Sequence, residues 1–222
     1  QNDMERYFDQ LAVMGVNLSE DMGALVDRQL ASREMTFDQL NDSPEVLNAL
    51  EEEMIEPLCR SLRRTSCSGA FVLLDATFNT RMEGAGYSRA GLYVQKGGAD
   101  IPTVPLLLYR GSADVGKAHS VMPHRKWRMQ FPDYDRWMTP SSTPLYQAYT
   151  LIERFSLPGT SEEVQLFLLP LRGRDGTMYG LCGFEISQSF FKQNFAQPTG
   201  FDHLICLLAP ADSGLNASAA LS

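Results

Sequence analysis

The stretch VQLFLLPLRGRDGTMYGLCGFEIS, Val164–Ser187, decides how the chain is read. Two apolar runs, Val164 to Leu171 and Met178 to Ile186, flank a short polar connection centred on Asp175-Gly176. Asp-Gly accepts positive φ, so the dipeptide marks a tight turn between antiparallel strands. The first run is apolar except for Gln165, the pattern of a strand buried on both faces. In the second, Leu181, Gly183, Glu185 and Ser187 alternate with Cys182, Phe184 and Ile186. Together they predict a β-hairpin at the centre of a sheet. Glu185, a charge within an apolar run, either faces solvent by alternation or enters a polar network.

Working outward, the strand period begins at Cys67. GAFVLLDATF (69–78), SRAGLYVQ (88–95) and PLLLYR (105–110) read as strands, separated by a glycine-containing loop and a Gly97-Gly98 break. Ser112 stands where it would cap a short helix over 113–121. Residues 122–160 are irregular and hold both tryptophans, three of the eight tyrosines and five of the twelve prolines. A long proline-punctuated segment inside a compact domain is usually a functional loop. Within it, Tyr146 to Arg154 fits either a short helix or a strand. Beyond the hairpin, Ser187 or Ser189 opens a short helix ending near Phe195, and HLICLLAP (203–210) reads as one more strand.

The first third of the chain is helical. Met4, Phe8, Leu11, Leu18, Met22 and Leu25 form an a/d-like stripe over residues 2–34, with Gly15 as a gap. Such a helix is roughly 50 Å long. It is either a core helix or a stalk that pairs with a partner. Ser43 and Pro44 read as N-cap and first residue of a second helix. Arg60, Arg63 and Arg64 suit its negative C-terminal end, and Pro57 is expected to kink it.

Composition narrows the function classes. The 222 residues are 44% hydrophobic and 21% charged, an ordinary globular balance. The net charge of −8 argues against nucleic acid as a partner. It sits on residues 1–66, which hold 14 acidic and 6 basic residues, while the remainder holds 13 of each. The four cysteines, Cys59, Cys67, Cys182 and Cys206, include no C-x-x-C pair, and with three histidines the spacing does not fit a metal site. An apolar strand makes a free buried thiol the commoner state for Cys182. No apolar run is long enough to span a membrane. The chain begins at Gln1 and closes on an Ala-Ser-rich tail, and both ends read as points inside a longer protein. There is no G-x-S-x-G, glycine-rich phosphate loop, H-E-x-x-H or convincing carboxylate pair. The chain therefore reads as a binding module rather than an enzyme, with no cofactor.

The order of helix, helix, strand, RAGLYV, LLLYRG, tryptophan-containing loop and the closing PLRGRDGTMYGLCGFEIS resembles the extracellular double-Cache sensor ectodomains of bacterial receptors. These precede histidine kinase, diguanylate cyclase, chemoreceptor or DNA-binding output modules. The match is closest over about residues 67–195. The resemblance implies an α+β fold: long N-terminal helices, then a PAS-like antiparallel sheet flanked by short helices. It divides the chain into a helical stalk (1–66), a membrane-distal Cache-like sensor domain (67–197) and the start of a membrane-proximal module (198–222). It also implies an extracytoplasmic location, attachment to the membrane through segments beyond this chain, and a small-molecule ligand such as an amino acid, amine or carboxylate. Signalling would pass through the N-terminal helix, which is also the expected homodimer contact. The alternative is a dimerisation or protein-interaction module without a ligand.

Amino-acid-binding members carry an Arg-x-Trp pair followed by an aromatic residue, with a tyrosine just upstream and an aspartate on a later strand. Arg125-Lys126-Trp127 supplies the pair; Arg128 replaces the aromatic, and no tyrosine lies at the expected upstream spacing. The nearest downstream acid, Asp175, lies in the hairpin turn. A pocket between sheet and loop needs apolar walls and a few fixed polar groups. Trp127, Trp137, Tyr146 and Tyr149 are candidate walls. Arg110, Arg125 and Arg128 are candidate carboxylate holders, because guanidinium presents a bidentate fork. Asp75 either accepts a ligand amine or caps the turn after its strand. The hairpin itself reads as platform, with the binding residues in the segment before it.

Overall fold

The computed structural model describes residues 3–97, 106–123, 134–157 and 163–188. Two helices come first, α1 (Asp3–Ser32) and α2 (Pro44–Arg63), joined by a 3₁₀ turn at Phe37–Leu40. Then follow β1 (Gly69–Thr77), β2 (Arg89–Lys96), β3 (Leu106–Arg110), α3 (Ala113–Ala118) and β4 (Met122–Pro123). After α4 (Tyr134–Trp137) come β5 (Thr150–Ser156), β6 (Glu163–Arg172) and β7 (Met178–Ser187). The fold is α+β. Its strands form one sheet in the order β4-β3-β2-β1-β7-β6-β5, antiparallel at every junction except the short parallel pairing of β4 with β3. Tyr146 to Arg154 resolves into a 3₁₀ turn (Leu145–Gln147) followed by β5. The helix expected after Ser187, the strand at 203–210 and Cys206 lie outside the described residues.

The expected hairpin forms, with Leu169 opposite Cys182 and a register shift between Leu171 and Arg172 that sets Arg172 opposite Met178. Its turn closes through a hydrogen bond from the Gly176 N–H to the Gly173 carbonyl, with Gly176 at φ +85°. The Asp175 carboxylate accepts from the Thr177 N–H at 2.9 Å, which lowers its pKa. Alternation then sorts the strands onto two faces. Ala70, Val72, Leu92, Val94, Phe167, Leu169, Cys182 and Phe184 face the helices. Phe71, Leu73, Tyr93, Tyr109, Leu166, Leu168 and Leu181 form a second cluster on the opposite, outer face. The sheet is therefore buried on both sides, which is why β6 reads as an almost unbroken apolar run.

The helical stripe packs inside this chain. Leu11, Leu18, Met22 and Leu25 are buried in the core shared by α1, α2 and the sheet. Gly15, a gap by sequence, is functional in packing: Gly15, Ser19 and Gly23 form a row of small residues four apart that lets α1 lie close on β6. A Cβ at Gly15 would stand 2.5 Å from the Leu169 Cδ1, and one at Gly23 2.2 Å from the Arg172 carbonyl oxygen. Between them the Ser19 hydroxyl donates to the Pro170 carbonyl at 2.7 Å. One turn further on, Asp27 accepts from the Arg174 N–H at 3.0 Å and the Tyr179 hydroxyl at 2.6 Å, fastening the hairpin turn to the helix.

Two capping expectations change, at Ser112, whose side chain does not cap α3, and at Ser43, and the alternative open at Glu185 is decided. Ser43 does precede α2, and Pro44 is its first residue, but the Ser43 side chain does not cap it. Its hydroxyl instead turns back and donates to the Gln39 carbonyl of the preceding 3₁₀ turn at 2.7 Å. Glu185 enters a polar network: it is buried and accepts from Ser68 Oγ and Gln95 Nε2, both at 2.6 Å, and from the Tyr93 hydroxyl. Among the described cysteines, Cys59, Cys67 and Cys182 are buried free thiols. Among the described residues no helix is long and apolar enough to cross a membrane.

Candidate functional site

The outer face of β6 carries Leu168, Pro170 and Arg172 by alternation, beside Leu181 of β7, which pairs with Pro170. What covers this face is set by α4. Tyr134, Trp137 and Met138, spaced three and four apart, present one side of that turn to the outer cluster. Tyr134 is also pinned by its hydroxyl, which donates to Asp75 Oδ1 at 2.9 Å. Arg89 completes the clamp. Its Nε donates to the same oxygen at 2.9 Å, and its guanidinium lies 3.8 Å from the centre of the Tyr134 ring. Burial, then the neighbouring Asp75 charge, push the Tyr134 phenol well above its ordinary pKa.

From α4 the chain runs along the sheet to β5 and leaves a cavity of about 270 Å³ between itself and β6. The apolar wall comes from Trp137, Leu168, Pro170 and Leu181, and the polar groups include Thr139, Ser141, Thr143 and Gln147. Two cations line it, Arg136 and Arg172, and no carboxylate does among the described residues. The Arg136 guanidinium lies 5.0 Å from the Trp137 ring centre. Arg172 Nη1 donates to the Thr143 carbonyl at 2.7 Å, fixing the covering segment to the strand. Its Nε is buried without a hydrogen-bond partner, and partial burial lowers the guanidinium pKa. Tyr149 lines the end of the cavity near β5, while its ring stacks on the helix-facing Phe167 at 5.0 Å between ring centres.

The residues singled out in the sequence separate into three groups. Trp137 and Tyr149 line the cavity. Tyr146, Arg110 and Asp75 do not; Tyr146 points to solvent at 63% exposure. Arg110 is buried elsewhere, donating to the Arg89 carbonyl. Burial holds its pKa down to about 10, against the favourable Glu51 charge. Glu51 itself is buried on α2 and accepts from the Gly91 and Ser112 N–H groups at 3.1 and 2.9 Å. Burial raises its pKa, opposed by those two hydrogen bonds and by Arg110. Among the described residues Asp75 caps no turn, and its partners there, Arg89 and Tyr134, are side chains. Arg125, Trp127 and Arg128 lie outside the described residues.

Arg136 and Arg172 were not singled out by the sequence. Arg172 had a legible signal, since alternation puts it on the same face as Leu168 and Pro170. The hairpin is therefore more than a platform, because its first strand supplies a cation to the cavity. Among the described residues no group of three His, Cys, Asp or Glu could hold a metal.

No protein-family model matches the chain, and no curated protein does. Among solved structures it is similar to one described as Methyl-accepting Chemotaxis protein X, with a TM-score of 0.39 and 13% identity over 86% of this chain and 66% of that one. It is also similar to the periplasmic sensory domain of the Campylobacter jejuni chemoreceptor Tlp1, with a TM-score of 0.38 and 10% identity over 87% of this chain and 65% of that one. The chain spans just under two thirds of the length of each.

Proposed function

We propose that this chain is the ligand-sensing ectodomain of a bacterial transmembrane signalling receptor, taking a small molecule in the cavity between β6 and the segment from α4 to β5. The observation that carries this reading is a juxtaposition across one strand. Pro170 lines the cavity, and its carbonyl accepts from Ser19 of α1. Arg172 lines it too, and its carbonyl lies against Gly23 of the same helix. The β6 backbone is thus the whole partition between the ligand and the long N-terminal helix. A ligand that draws the covering segment onto β6 changes the surface on which α1 rests, and α1 carries the change along its axis. Signalling needs only that the ligand bind the two arrangements with different affinity. The motif order shared with double-Cache ectodomains supports the same reading. The alternative of a dimerisation module working through the α1 stripe draws no support from Leu11, Leu18, Met22 and Leu25, which are buried within the chain.

A thermal-shift screen of amino acids, carboxylates and amines tests the proposal. A ligand at a hundred times its dissociation constant stabilises by about 2.7 kcal/mol, or about 5–10 °C for a chain of this size. The shift is expected to vanish in a Trp137→Ala, Tyr149→Ala double variant, and the ligand is expected to slow hydrogen exchange in α1 around Ser19. Ligands that raise the melting temperature equally in wild type and double variant would show that this cavity is not the site.

A further inference from the structure

We propose that the ligand of this cavity is a small organic anion, a carboxylate on an apolar body, anchored by Arg172; the inference rests on the cavity being the sensory site. The first ground is charge. Arg136 and Arg172 line the cavity, and no acid lines it among the described residues. An amine would sit against two guanidinium groups, and the ammonium of an amino acid would find no carboxylate among the described lining residues. The second ground is the state of Arg172. Its Nη1 is fixed on the Thr143 carbonyl at 2.7 Å, so the side chain is already oriented. Its Nε is buried with no acceptor, so the guanidinium is not fully satisfied by the chain itself. A carboxylate supplies oxygen atoms at the spacing of the guanidinium fork, which an ammonium or a hydroxyl does not. The third ground is the rest of the wall. Trp137, Leu168, Pro170 and Leu181 offer apolar surface to part of the remaining molecule, beside the polar Thr139, Ser141, Thr143 and Gln147. At about 270 Å³ the space is below the usual range for drug-sized ligands, roughly 300–1,000 Å³, so the body is small.

Two matched probe sets test this by calorimetry: isobutyrate, isobutyramide and isobutylamine, and phenylacetate, phenylacetamide and phenethylamine. At least one carboxylate is expected to bind, with its amide at least about tenfold weaker and its amine without measurable binding. Arg172→Gln should weaken the carboxylate about tenfold to a hundredfold, the span of a charge-assisted hydrogen bond, and leave the amide unchanged. Because that variant also loses the tie to Thr143, Arg172→Lys is measured beside it, with the melting temperature of each. Lysine keeps the charge without the fork and is expected to fall between glutamine and wild type. Binding of neither carboxylate at millimolar concentration overturns the inference. So does binding of amide or amine as tight as that of the carboxylate. If Arg172→Gln binds normally while Trp137→Ala does not, the anion anchor is wrong and the cavity still holds the ligand. If neither substitution changes the affinity of a bound probe, both the anchor and the cavity are wrong.

Discussion

Gly23→Ala is the sharpest test of how α1 sits on the sheet, because two physical effects of opposite sign meet at one atom. Inside a helix, replacing glycine with alanine ordinarily gains about 1 kcal/mol. At Gly23 the new Cβ would lie 2.2 Å from the Arg172 carbonyl oxygen. Ordinary contact needs about 1 Å more, and the obstacle is strand backbone, which cannot rotate away. Overpacking of this kind costs about 1–3 kcal/mol. Lifting the helix also stretches the Ser19 to Pro170 hydrogen bond, now 2.7 Å, which contributes about 1 kcal/mol. The balance is a net loss of about 2 kcal/mol, or a fall of about 4–8 °C in melting temperature. Gly15→Ala is the internal comparison. Its Cβ would meet Leu169 Cδ1 at 2.5 Å, but that atom ends a flexible side chain and can move, so the net effect is expected near zero. Exposed Ala24→Gly, one residue from the contact, reports propensity alone and should lose about 1 kcal/mol. Circular-dichroism melts and urea titrations of the three variants give the ordering. A Gly23→Ala protein as stable as wild type would mean that α1 does not lie on β6 as described, and would remove the coupling argument with it.

Two further expectations concern buried polar groups. Replacing Glu185 with leucine leaves Ser68, Tyr93 and Gln95 without their shared buried acceptor; a loss of about 3 kcal/mol or more is expected in urea unfolding, and a loss below about 1 kcal/mol would mean those donors find other partners. The Cys182 thiol is pushed up by burial from its ordinary 9.0 to about 12. The unfolded chain therefore loses this proton first as pH rises above 9. The stabilisation is full below that pH and falls by about 1.4 kcal/mol per pH unit until the folded value is reached. Cys182→Ala should flatten the alkaline stability profile by that one-proton slope, and an unchanged slope would show that Cys182 titrates alike in both states.

Much of the fold is legible because its signals are local. The unbroken apolar run Val164–Leu171, the mixed run Met178–Ile186 and the Asp175-Gly176 turn between them depend on residues near in sequence, and the hairpin forms where they place it. The site is less legible because it is assembled across the chain. Trp137 and Tyr149 stand out as aromatic residues in an irregular segment. Arg172, by contrast, looks like the polar end of a strand until Thr143 is placed against it. Asp75 likewise has the sequence look of a turn cap, and only the approach of Arg89 and Tyr134 gives it a different role.

The helix shows the division most clearly. The spacing of Leu11, Leu18, Met22 and Leu25 determines that α1 has an apolar face, because side chains three, four and seven residues apart share one side of a helix whatever surrounds it. Which surface that face meets, a second chain or this chain's own sheet, is not encoded in the spacing. The tertiary structure decides it through Gly15, which lies against the Leu169 side chain, and through Ser19 and Gly23, which let α1 settle on the backbone of β6. By sequence alone the hairpin is two strands and a turn. In the folded chain its first strand is the thin wall with the cavity on one side and the long helix on the other, because alternation turns successive side chains to opposite faces and only packing determines what each face meets.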